Sequence, residues 1–405
     1  MFTKLAYRNL FRNKRRTLIT AASVFFAVFF ALLMRSLQFG VYDNMVKNVV
    51  GFFTGYAQVH QDGYWVEKSL DNSLEDTPIL REKVLQGDNI TGIVPRLESF
   101  ALASVNELTK GVLVTGVDPI AERNIINIEE KLIEGDYFTG AAEDAIIVSQ
   151  GLAKFLKLGI NDTIVLLGQG YQGISASGKY HIKGILKFGS PDLNSNLVFL
   201  PLQTCQKLYG AENRLTSYIL LSDKPKNIES AVASLDKKLG EEYEVMSWKD
   251  MLPELIQLIE ADNAGGFIIL SILYIIIGFG MFGTILMMTT ERLYEFGVLL
   301  SIGLKRWKLI IIMLIESVFV SFLGVIGGIL FGIPVLTYFY YNPIHLGKDL
   351  SEFSEKYDIE PVLNFSLDPE IFWVQGLYVL AIAIIINIYP IQKILKLKVV
   401  EALRG

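Results

Sequence analysis

The sequence predicts a membrane α-helical protein with four transmembrane helices and a large α+β extracytoplasmic domain inserted between helices 1 and 2. Hydrophobic residues make up 51% of the 405-residue chain and its mean hydropathy is +0.40, too apolar for an ordinary soluble protein. Charged residues still make up 20%, too many for a chain that lies wholly in a membrane. Four long apolar runs, separated by polar segments, complete the observations behind this fold class.

The four predicted spans are residues 18–40, 263–289, 309–340 and 370–390. A helix of about 20 residues crosses the hydrocarbon core of a bilayer, and the second and fourth apolar runs fit this length directly. The first run is shorter, but apolar residues extend it and Arg35 can snorkel to the interface. The third run is longer than a span requires, which predicts that its last turns tilt or leave the bilayer.

Lysine and arginine residues beside the spans predict the orientation, because cytoplasmic segments retain positive charge. Six lie in the N-terminal segment 1–17, and the segment 290–308 and the tail 391–405 hold four each, whereas the loop 341–369 holds two. We therefore expect both termini in the cytoplasm. No small-x-small cleavage site follows the first apolar run, which favours a signal anchor over a cleaved signal peptide.

The orientation places residues 41–262 outside the cytoplasm as one domain, large enough for its own hydrophobic core. Strand-like stretches at 56–60, 111–117, 145–148 and 197–200 alternate with helix-like stretches at 150–158 and 226–239, which indicates an α+β fold. The single cysteine excludes an internal disulfide, and the three histidines are too isolated to suggest a metal site. These residues are Cys205, His60, His181 and His345.

Both ends of this domain carry a helical pattern. Apolar residues recur about every four positions in 37–50 and again in 251–259. We expect stiff stalk helices that run from the membrane into the domain. A helix lying on the membrane surface is the alternative, but the segment 250–262 carries acidic residues where surface helices favour Lys and Arg.

Residues 173–180, G-I-S-A-S-G-K-Y, come within one residue of a nucleotide-binding P-loop, which needs Ser or Thr where this chain has Tyr180. That hydroxyl ligates magnesium, and the loop must run from a strand into a helix. Polar and apolar residues alternate on both sides of the stretch, which indicates a Gly/Ser-rich β-loop instead. The expected position outside the cytoplasm, where ATP is not available, supports the same interpretation.

The segment 290–308 has the most specific pattern in the chain. Apolar residues at positions 293, 296, 299, 300 and 304 share one helical face, while Glu291, Arg292 and Glu295 lie on another. A short amphipathic helix of this kind, presented to the cytoplasm, suits a groove on a partner protein. An ordinary turn with interfacial charges is the alternative, because charge clusters at the ends of spans are common.

Residues 289–303, T-T-E-R-L-Y-E-F-G-V-L-L-S-I-G, and the L-I-E of the next span resemble the coupling segment of FtsX/MacB-type permeases. This family of ABC transporter permeases includes the lipoprotein-releasing subunits LolC and LolE. The opening L-A-Y-R-N-L-F-R-N-K-R-R-T at 5–17 and the closing E-A-L-R at 401–404 are similar to the termini of that family. The outer domain adds Q-V-H-Q-D-G-Y-W at 58–65 and L-I-E-G-D-Y-F at 132–138, so the resemblance covers the whole chain.

The resemblance implies an architecture and a mechanism. Permeases of this family have four spans, a large extracytoplasmic domain and no nucleotide site, so this chain is expected to be neither an enzyme nor a cofactor protein. Two permease subunits, identical or homologous, assemble with two copies of a separate ATPase that binds ATP and magnesium. Closure of the ATPases moves the spans, and the stalks pass the motion outward. At the matching positions, Glu291, Arg292, Glu295, Phe296 and Gly297 would dock on the ATPase.

Two features inside the third span bear on assembly. Gly324, Gly328 and Gly332 repeat every fourth residue, a pattern that lets helices approach closely, either within one protomer or against a second permease. Glu316 lies in the same span, where a carboxylate is costly unless it is paired, protonated or near water. Because it matches the L-x-E of the family, we favour a structural pairing near the cytoplasmic interface over a proton relay.

Two functions agree with these observations. The first is release or export of lipoproteins, or another amphiphile, from the inner membrane, with membrane lipid, a lipoprotein and a periplasmic carrier as partners. The second is an FtsX-like regulator that relays ATPase motion to an extracytoplasmic cell-wall hydrolase. A membrane-anchored enzyme is disfavoured, because the sequence of residues 41–262 contains no recognisable catalytic cluster. Nucleic acid is not expected as a partner.

Overall fold

The computed structural model describes residues 14–125, 128–222, 227–345 and 362–398, which form two compact units. The helical unit contains the described residues up to Asp43, from Leu258 to His345 and from Val362 onward. The sheet unit runs from Asn44 to Gln257. Residues 5–13 of the opening motif, the closing motif at 401–404 and most of the loop 341–369 lie outside the described residues, together with their basic side chains.

Among the described residues, four helical stretches are long and apolar enough to cross a membrane. The helices are α1 (Lys14–Val46), α2 (Pro253–Glu291), α3 (Leu293–Ser301), α4 (Arg306–Tyr341), α5 (Pro369–Ile386) and α6 (Ile388–Leu395). The predicted spans fall inside α1, α2, α4 and the α5–α6 pair. A short antiparallel strand pair, Ile344–His345 with Val362–Leu363, also belongs to the helical unit.

Close approach of α1 and α4 organises the helical unit. A Cβ atom added at Gly324 would lie 2.5 Å from Cβ of Val24, and one added at Gly328 would lie 2.9 Å from Cβ of Val28. The third glycine of the series, Gly332, faces the same helix. The glycine face predicted from the sequence therefore packs against α1 of the same protomer, where only residues without a side chain fit.

One ten-stranded mixed sheet organises the sheet unit. The strands of this unit are β1 (Ala57–Gln61), β2 (Leu74–Glu75), β3 (Gly92–Val105), β4 (Leu108–Val117), β5 (Leu132–Gly135), β6 (Ala145–Ser149), β7 (Thr163–Gln169), β8 (Ser175–Leu186), β9 (Leu197–Pro201), β10 (Arg214–Leu215), β11 (Ser217–Leu221) and β12 (Tyr243–Ser247). The order is β12-β1-β11-β3-β4-β9-β6-β8-β5, with β7 paired to β3 and β8, and β2 pairs with β10 separately. Only β4–β9 and β6–β8 are parallel among these pairings.

Helices connect the strands of the sheet unit. They are the π-helix Lys47–Thr54, the 3-10 helices Leu70–Asn72, Ile128–Lys131 and Tyr171–Gly173, and the α-helices Tyr64–Glu67, Pro78–Leu85, Pro119–Ile125, Gln150–Leu156, Pro191–Asn196, Leu202–Tyr209, Ile228–Leu239 and Trp248–Met251. Each strand and helix predicted for this domain overlaps an observed one, and the α+β fold class is confirmed.

The predicted stalk helix at 251–259 is interrupted. Leu252, with φ −125° and ψ 58°, separates the short helix Trp248–Met251 from α2. The cause is Pro253, because the ring of a proline disfavours the helical conformation in the residue before it. At the other end of the unit, α1 ends at Val46 and the π-helix follows directly.

The stretch 173–180 belongs to a β-hairpin. Residues Tyr171–Gly173 form a 3-10 turn between β7 and β8, and the two strands pair antiparallel with Lys179 opposite Val165. Gly173, with φ 75°, closes the turn. Strand β8 follows where a P-loop would need a helix, so the backbone excludes the P-loop interpretation.

A buried ion pair lies in the core of the sheet unit. Arg96 of β3 and Glu122 of helix Pro119–Ile125 are both fully buried and in hydrogen-bond contact. The same guanidinium donates to the carbonyl oxygen of Phe53 at 2.5 Å and lies 3.6 Å from the carboxylate of Glu98. Several acceptors therefore share the charge of Arg96, as a buried cation requires.

Candidate coupling site

The segment predicted to dock on a partner forms α3, a nine-residue helix between α2 and α4. Arg292 separates α2 from α3 with φ −97° and ψ 2°. Gly303, with φ 96°, ends the helix in a conformation that glycine adopts without steric cost. The N–H of Leu304 donates to the carbonyl of Leu299 at 3.1 Å, a bond typical of helix ends closed by a left-handed glycine. This glycine therefore sets the length of α3.

The apolar face of α3 packs inside the chain. Phe296 is 6% exposed and forms a cluster with Leu309 of α4, Ile394 of α6 and Leu397 just beyond it. Partly buried residues around this cluster are Leu293, Leu300, Leu304, Ile310 and Met313. Burial against α4 and α6 thus covers Phe296 within the chain, while Leu299 of the same predicted apolar face is exposed, and entry of this face into a groove on a partner stays a prediction.

Arg292 forms a buried ion pair with Glu316 of α4. Its Nη1 atom donates to both carboxylate oxygens, at 2.8 and 2.7 Å, and the two side chains are 7% and 4% exposed. Two paired charges offset the cost of removing each from water. Glu316 thus has the structural partner that the sequence favoured. Arg292 and Gly297, two of the predicted docking residues, are both buried within the described chain, and their part in docking stays a prediction.

Exposed residues around α3 define a different surface. Glu295 points outward with its side chain 47% exposed, at 4.0 Å from Nε of Arg292. Tyr294 is 58% exposed and Ile302 is 77% exposed. Together with Glu291 and Leu299, which are also exposed, these residues are called the outward face of α3. Of the five predicted docking residues, Glu291 and Glu295 therefore remain candidates for contact with a partner.

A groove of about 410 Å³ runs beside α3 and the start of α4. It is lined by Tyr294, Glu295, Val298, Leu299, Leu309 and Ile312, with the Arg292–Glu316 pair at its base. The groove is mainly apolar with one acidic edge, which suits a partner segment of apolar and basic residues. Among the described residues, no group of three or more His, Cys, Asp or Glu side chains is placed to hold a metal ion.

Sequence reasoning missed Asn387, which lies between α5 and α6 and is fully buried. Pro390 follows three residues later and has no N–H to continue the helical hydrogen bonds, which accounts for the break. The signal was available, since a lone Asn in an apolar run shortly before a proline is expected to have a polar partner. Its side chain donates to Ser317 Oγ at 2.7 Å, so it joins α4 near the Arg292–Glu316 pair.

A protein-family model matches part of the chain. The model described as FtsX-like permease C-terminal matches residues 267–399, which include α3, Glu316 and Asn387. Two curated relatives are lipoprotein-releasing system transmembrane proteins named LolC. The protein from Neisseria meningitidis serogroup B is 22% identical over 304 residues, which are 72% of this chain and 71% of the relative. The protein from Xylella fastidiosa strain Temecula1 is 20% identical over 336 residues, 78% of each chain.

Solved structures with likeness to this chain are outer domains of transporters. The extracellular domain of the noncanonic ABC-type transporter YknZ from Gram-positive bacteria is 15% identical with a TM-score of 0.34, covering 47% of this chain and 98% of that chain. The periplasmic region of MacB from Actinobacillus actinomycetemcomitans is 14% identical with a TM-score of 0.35, covering 53% of this chain and 98% of that chain. The family match over residues 267–399, the LolC relatives and the four apolar helices together make the chain similar to FtsX-like permeases, and they support a multi-pass ABC permease subunit of a bacterial inner membrane.

Proposed function

We propose that this permease works by mechanotransmission to release lipoproteins, or another amphiphile, from the inner membrane. The observation that carries the proposal is the attachment of α3 to two other helices. Arg292 joins α3 to α4 through Glu316, and Phe296 joins it to α6 through Ile394. A displacement of α3 therefore moves α4 and α6 with it, because packed side chains and a buried ion pair transmit the motion.

Further contacts tie the same helices at their ends. Arg306, at the start of α4, donates to the carbonyl oxygens of Leu395 and Leu397, so α4 is joined to the end of α6. In this proposal the outward face of α3 receives the motion of an ATPase, and Glu291 and Glu295 supply its charge. Arg292, Phe296 and Gly297 act from inside, by holding α3 against α4 and α6.

The proposal places both termini and α3 in the cytoplasm and the sheet unit outside it, with spans at 18–40, 263–289, 309–340 and 370–390. Two copies of a separate ATPase bind ATP and magnesium, and a second permease, identical or homologous, completes the complex. A periplasmic carrier receives the substrate. The curated LolC relatives, which are named for a lipoprotein-releasing system, support this substrate class.

Charge reversal on the outward face tests the docking of the ATPase. The double variant Glu291→Lys, Glu295→Lys would place two positive charges against the partner. Loss of one member of a close interfacial charge pair costs on the order of 2–5 kcal/mol. We expect recovery of the ATPase with the tagged full-length permease, and release of substrate, to fall by at least about tenfold while the permease stays inserted.

The matched control reverses two exposed acids near the opposite end of α2, Glu254→Lys with Glu260→Lys. This variant carries the same change of charge and should keep ATPase recovery and release near the wild-type level. Equal recovery and equal release in both double variants would contradict docking at α3.

Cysteine labelling tests the orientation. In a Cys205→Ala background, Ser175→Cys in β8 and Glu295→Cys in α3 each introduce one exposed thiol. A membrane-impermeant reagent applied to intact spheroplasts should label position 175 alone. Labelling of position 295 before lysis would contradict the proposed orientation, because α3 would then lie outside the cytoplasm.

A lipid-modified reporter protein tests the substrate class. Spheroplasts that contain the wild-type permease should release the reporter to a periplasmic carrier, and those with Glu291→Lys, Glu295→Lys should retain it in the membrane. If the reporter is released equally while cell-wall hydrolysis falls, the chain is a regulator of the FtsX type rather than a release permease.

A further inference from the structure

A small, partly open cavity of about 30 Å³ lies in the helical unit beside the Arg292–Glu316 pair. Its polar lining comes from the four long helices and their junctions, namely Thr20 of α1, Thr289 of α2, Arg292, Glu316 and Ser317 of α4, and Asn387 between α5 and α6. Apolar side chains, including Met288 and Val320, complete the wall. Convergence of polar groups from every long helix is unusual among apolar spans, where each such group is costly without a partner.

Asn387 lines this cavity, and one of its polar atoms has no hydrogen-bond partner within the described chain. Its Nδ2 atom donates to the carbonyl of Ala383 at 2.6 Å and to Ser317 Oγ at 2.7 Å. The carbonyl of Ala383 accepts only, so the amide nitrogen must face it and Oδ1 must face away. Within the described chain, Oδ1 is buried and has no hydrogen-bond partner. An acceptor left in this state costs about 1–3 kcal/mol.

Size and chemistry select the ligand. A water molecule needs at least about 10–15 Å³ of accessible volume and two or more polar partners, and the cavity meets both conditions. A cation is disfavoured because the guanidinium of Arg292 lines the same wall. An apolar ligand would leave the Oδ1 atom unsatisfied.

We propose that this cavity binds an ordered water molecule, which donates to Oδ1 of Asn387 and makes a second hydrogen bond to the polar lining. The water joins the break between α5 and α6 to the Arg292–Glu316 pair. Asn387 is then a positioning residue, since it holds the helix break through Ser317 on one side and through water on the other. This water site does not depend on which substrate the permease moves.

Hydroxyl-radical labelling of the full chain in lipid nanodiscs tests the proposal, because X-rays generate the radicals from water and they oxidise only nearby side chains. Met288 lines the cavity and serves as the reporter. Met281, fully buried in an apolar cluster of the same helix, is the dry reference. We expect Met288 to be oxidised at least about fivefold faster than Met281, since methionine oxidation follows access to the oxidant. Equal rates would overturn the proposal.

Two variants separate internal water from bulk solvent at Met288. Asn387→Leu removes the amide, and Val320→Leu fills the cavity by one methylene while Asn387 stays intact. In each variant that keeps a cooperative thermal transition, the Met288 rate should fall to within about twofold of the Met281 rate. Ser321→Ala, a buried change on α4 outside the cavity lining, should leave the Met288 rate unchanged. An unchanged Met288 rate in folded Val320→Leu would overturn the proposal, because bulk solvent would then be the source.

Discussion

The described residues of each unit bury an arginine–glutamate pair, and the two pairs differ in their surroundings. In the sheet unit, Arg96 and Glu122 are fully buried, and Arg96 also contacts Glu98 and the carbonyl of Phe53. In the helical unit, Nη1 of Arg292 donates to both carboxylate oxygens of Glu316, and the carboxylate of the exposed Glu295 lies 4.0 Å from Nε of Arg292.

This difference in surroundings indicates that the two arginine–glutamate pairs have different structural roles. Arg96 is held by backbone and side chains from several elements, so its position is part of the core. Arg292 lies at the junction of α2 and α3, paired with Glu316 and 4.0 Å from the exposed Glu295, so a change at the outward face reaches it through Glu295. A buried ion pair adds little net stability over an apolar pair but is costly to break. We infer that the first pair specifies the fold and the second joins a movable helix.

The largest expected effects come from breaking each pair on one side. Glu122→Ala and Glu316→Ala each leave a buried guanidinium without its main partner, which costs about 3–5 kcal/mol. Denaturant unfolding of the full chain in mixed micelles measures both losses. The two pairs should differ in their effect on stability when both charges of a pair are replaced by apolar residues. Arg292→Met with Glu316→Leu should recover most of the lost stability, because it removes both charges of the close pair together.

The matching double variant in the sheet unit, Arg96→Met with Glu122→Leu, should stay strongly destabilised. It leaves the partly buried carboxylate of Glu98 without its cationic partner and the carbonyl of Phe53 without its donor. Burial already raises the pKa of Glu98, and loss of Arg96 would raise it further. Equal recovery in the two double variants would remove the distinction between the pairs.

Acid should weaken the sheet unit through His60. Burial lowers the pKa of His60 to about 4, although its Nδ1 contacts the carbonyl of Thr216 at 2.8 Å. The unfolded chain binds a proton near pH 6.5, so the folded state loses stability as the pH falls from about 6.5 to 4 and is unaffected above that window. The slope reaches about 1.4 kcal/mol per pH unit, for a total of about 3 kcal/mol. Hydrogen exchange of β1 in the full chain measures it.

His60→Gln should flatten this pH dependence, because the amide does not titrate. His181→Gln, a change at an exposed position on β8, is the matched control and should leave the slope in place. A slope that survives in His60→Gln would assign the acid sensitivity to other groups.

A smaller effect is expected where α1 and α4 meet. In Gly324→Ala the new methyl group would lie 2.5 Å from Cβ of Val24 and 2.7 Å from the carbonyl oxygen of Ala21. The backbone oxygen cannot rotate away, so the helices must separate, and overpacking of this kind costs about 1–3 kcal/mol. Gly280→Ala in α2 is the control, since no atom lies within 4 Å of its new Cβ. It should stabilise the helix by about 0.5–1 kcal/mol. Similar losses in both variants would mean that Gly280 also faces a partner.

Much of the fold could be predicted because its main signals are local. Bilayer thickness sets the length of an apolar run, and alternation of polar and apolar residues indicated β4, β6 and β9 before their partners were known. The break at Leu252 was also encoded locally, by Pro253, and was overlooked. Strand order was not predictable, because β1 pairs with β11 and β12, which lie far along the chain.

The site was harder to predict than the fold. Periodicity indicated an apolar face on α3, but it cannot tell whether a partner or the same chain covers that face. The covering residues Ile394 and Leu397 lie in a segment distant in sequence. Glu316 was recognised as needing a partner, yet Arg292 was assigned to the surface, because a charge at the end of a span usually faces water. Only the folded arrangement of α2 and α4 brings the two together.

The smallest effect is expected at the P-loop-like stretch of the sheet unit, where Lys179 is exposed on β8 opposite Val165. In a P-loop this lysine would hold the β- and γ-phosphates, and Lys179→Ala would abolish ATP hydrolysis. Here the exposed side chain contributes little to folding, so the free energy of unfolding should change by no more than about 0.5 kcal/mol.

The ATPase rate of the assembled complex should also be unchanged in Lys179→Ala, and the purified permease alone should bind no ATP. The backbone supports this expectation, because β8 continues through Lys179 and Tyr180 as an antiparallel strand, and the ring of Tyr180 is buried where a magnesium-binding hydroxyl would be needed. Lys157→Ala, at another exposed lysine of the same unit, is the matched control. ATP hydrolysis by the isolated chain that disappears in Lys179→Ala but not in Lys157→Ala would contradict this prediction. The sheet unit, rather than an ATPase bound at α3, would then be the site of ATP hydrolysis.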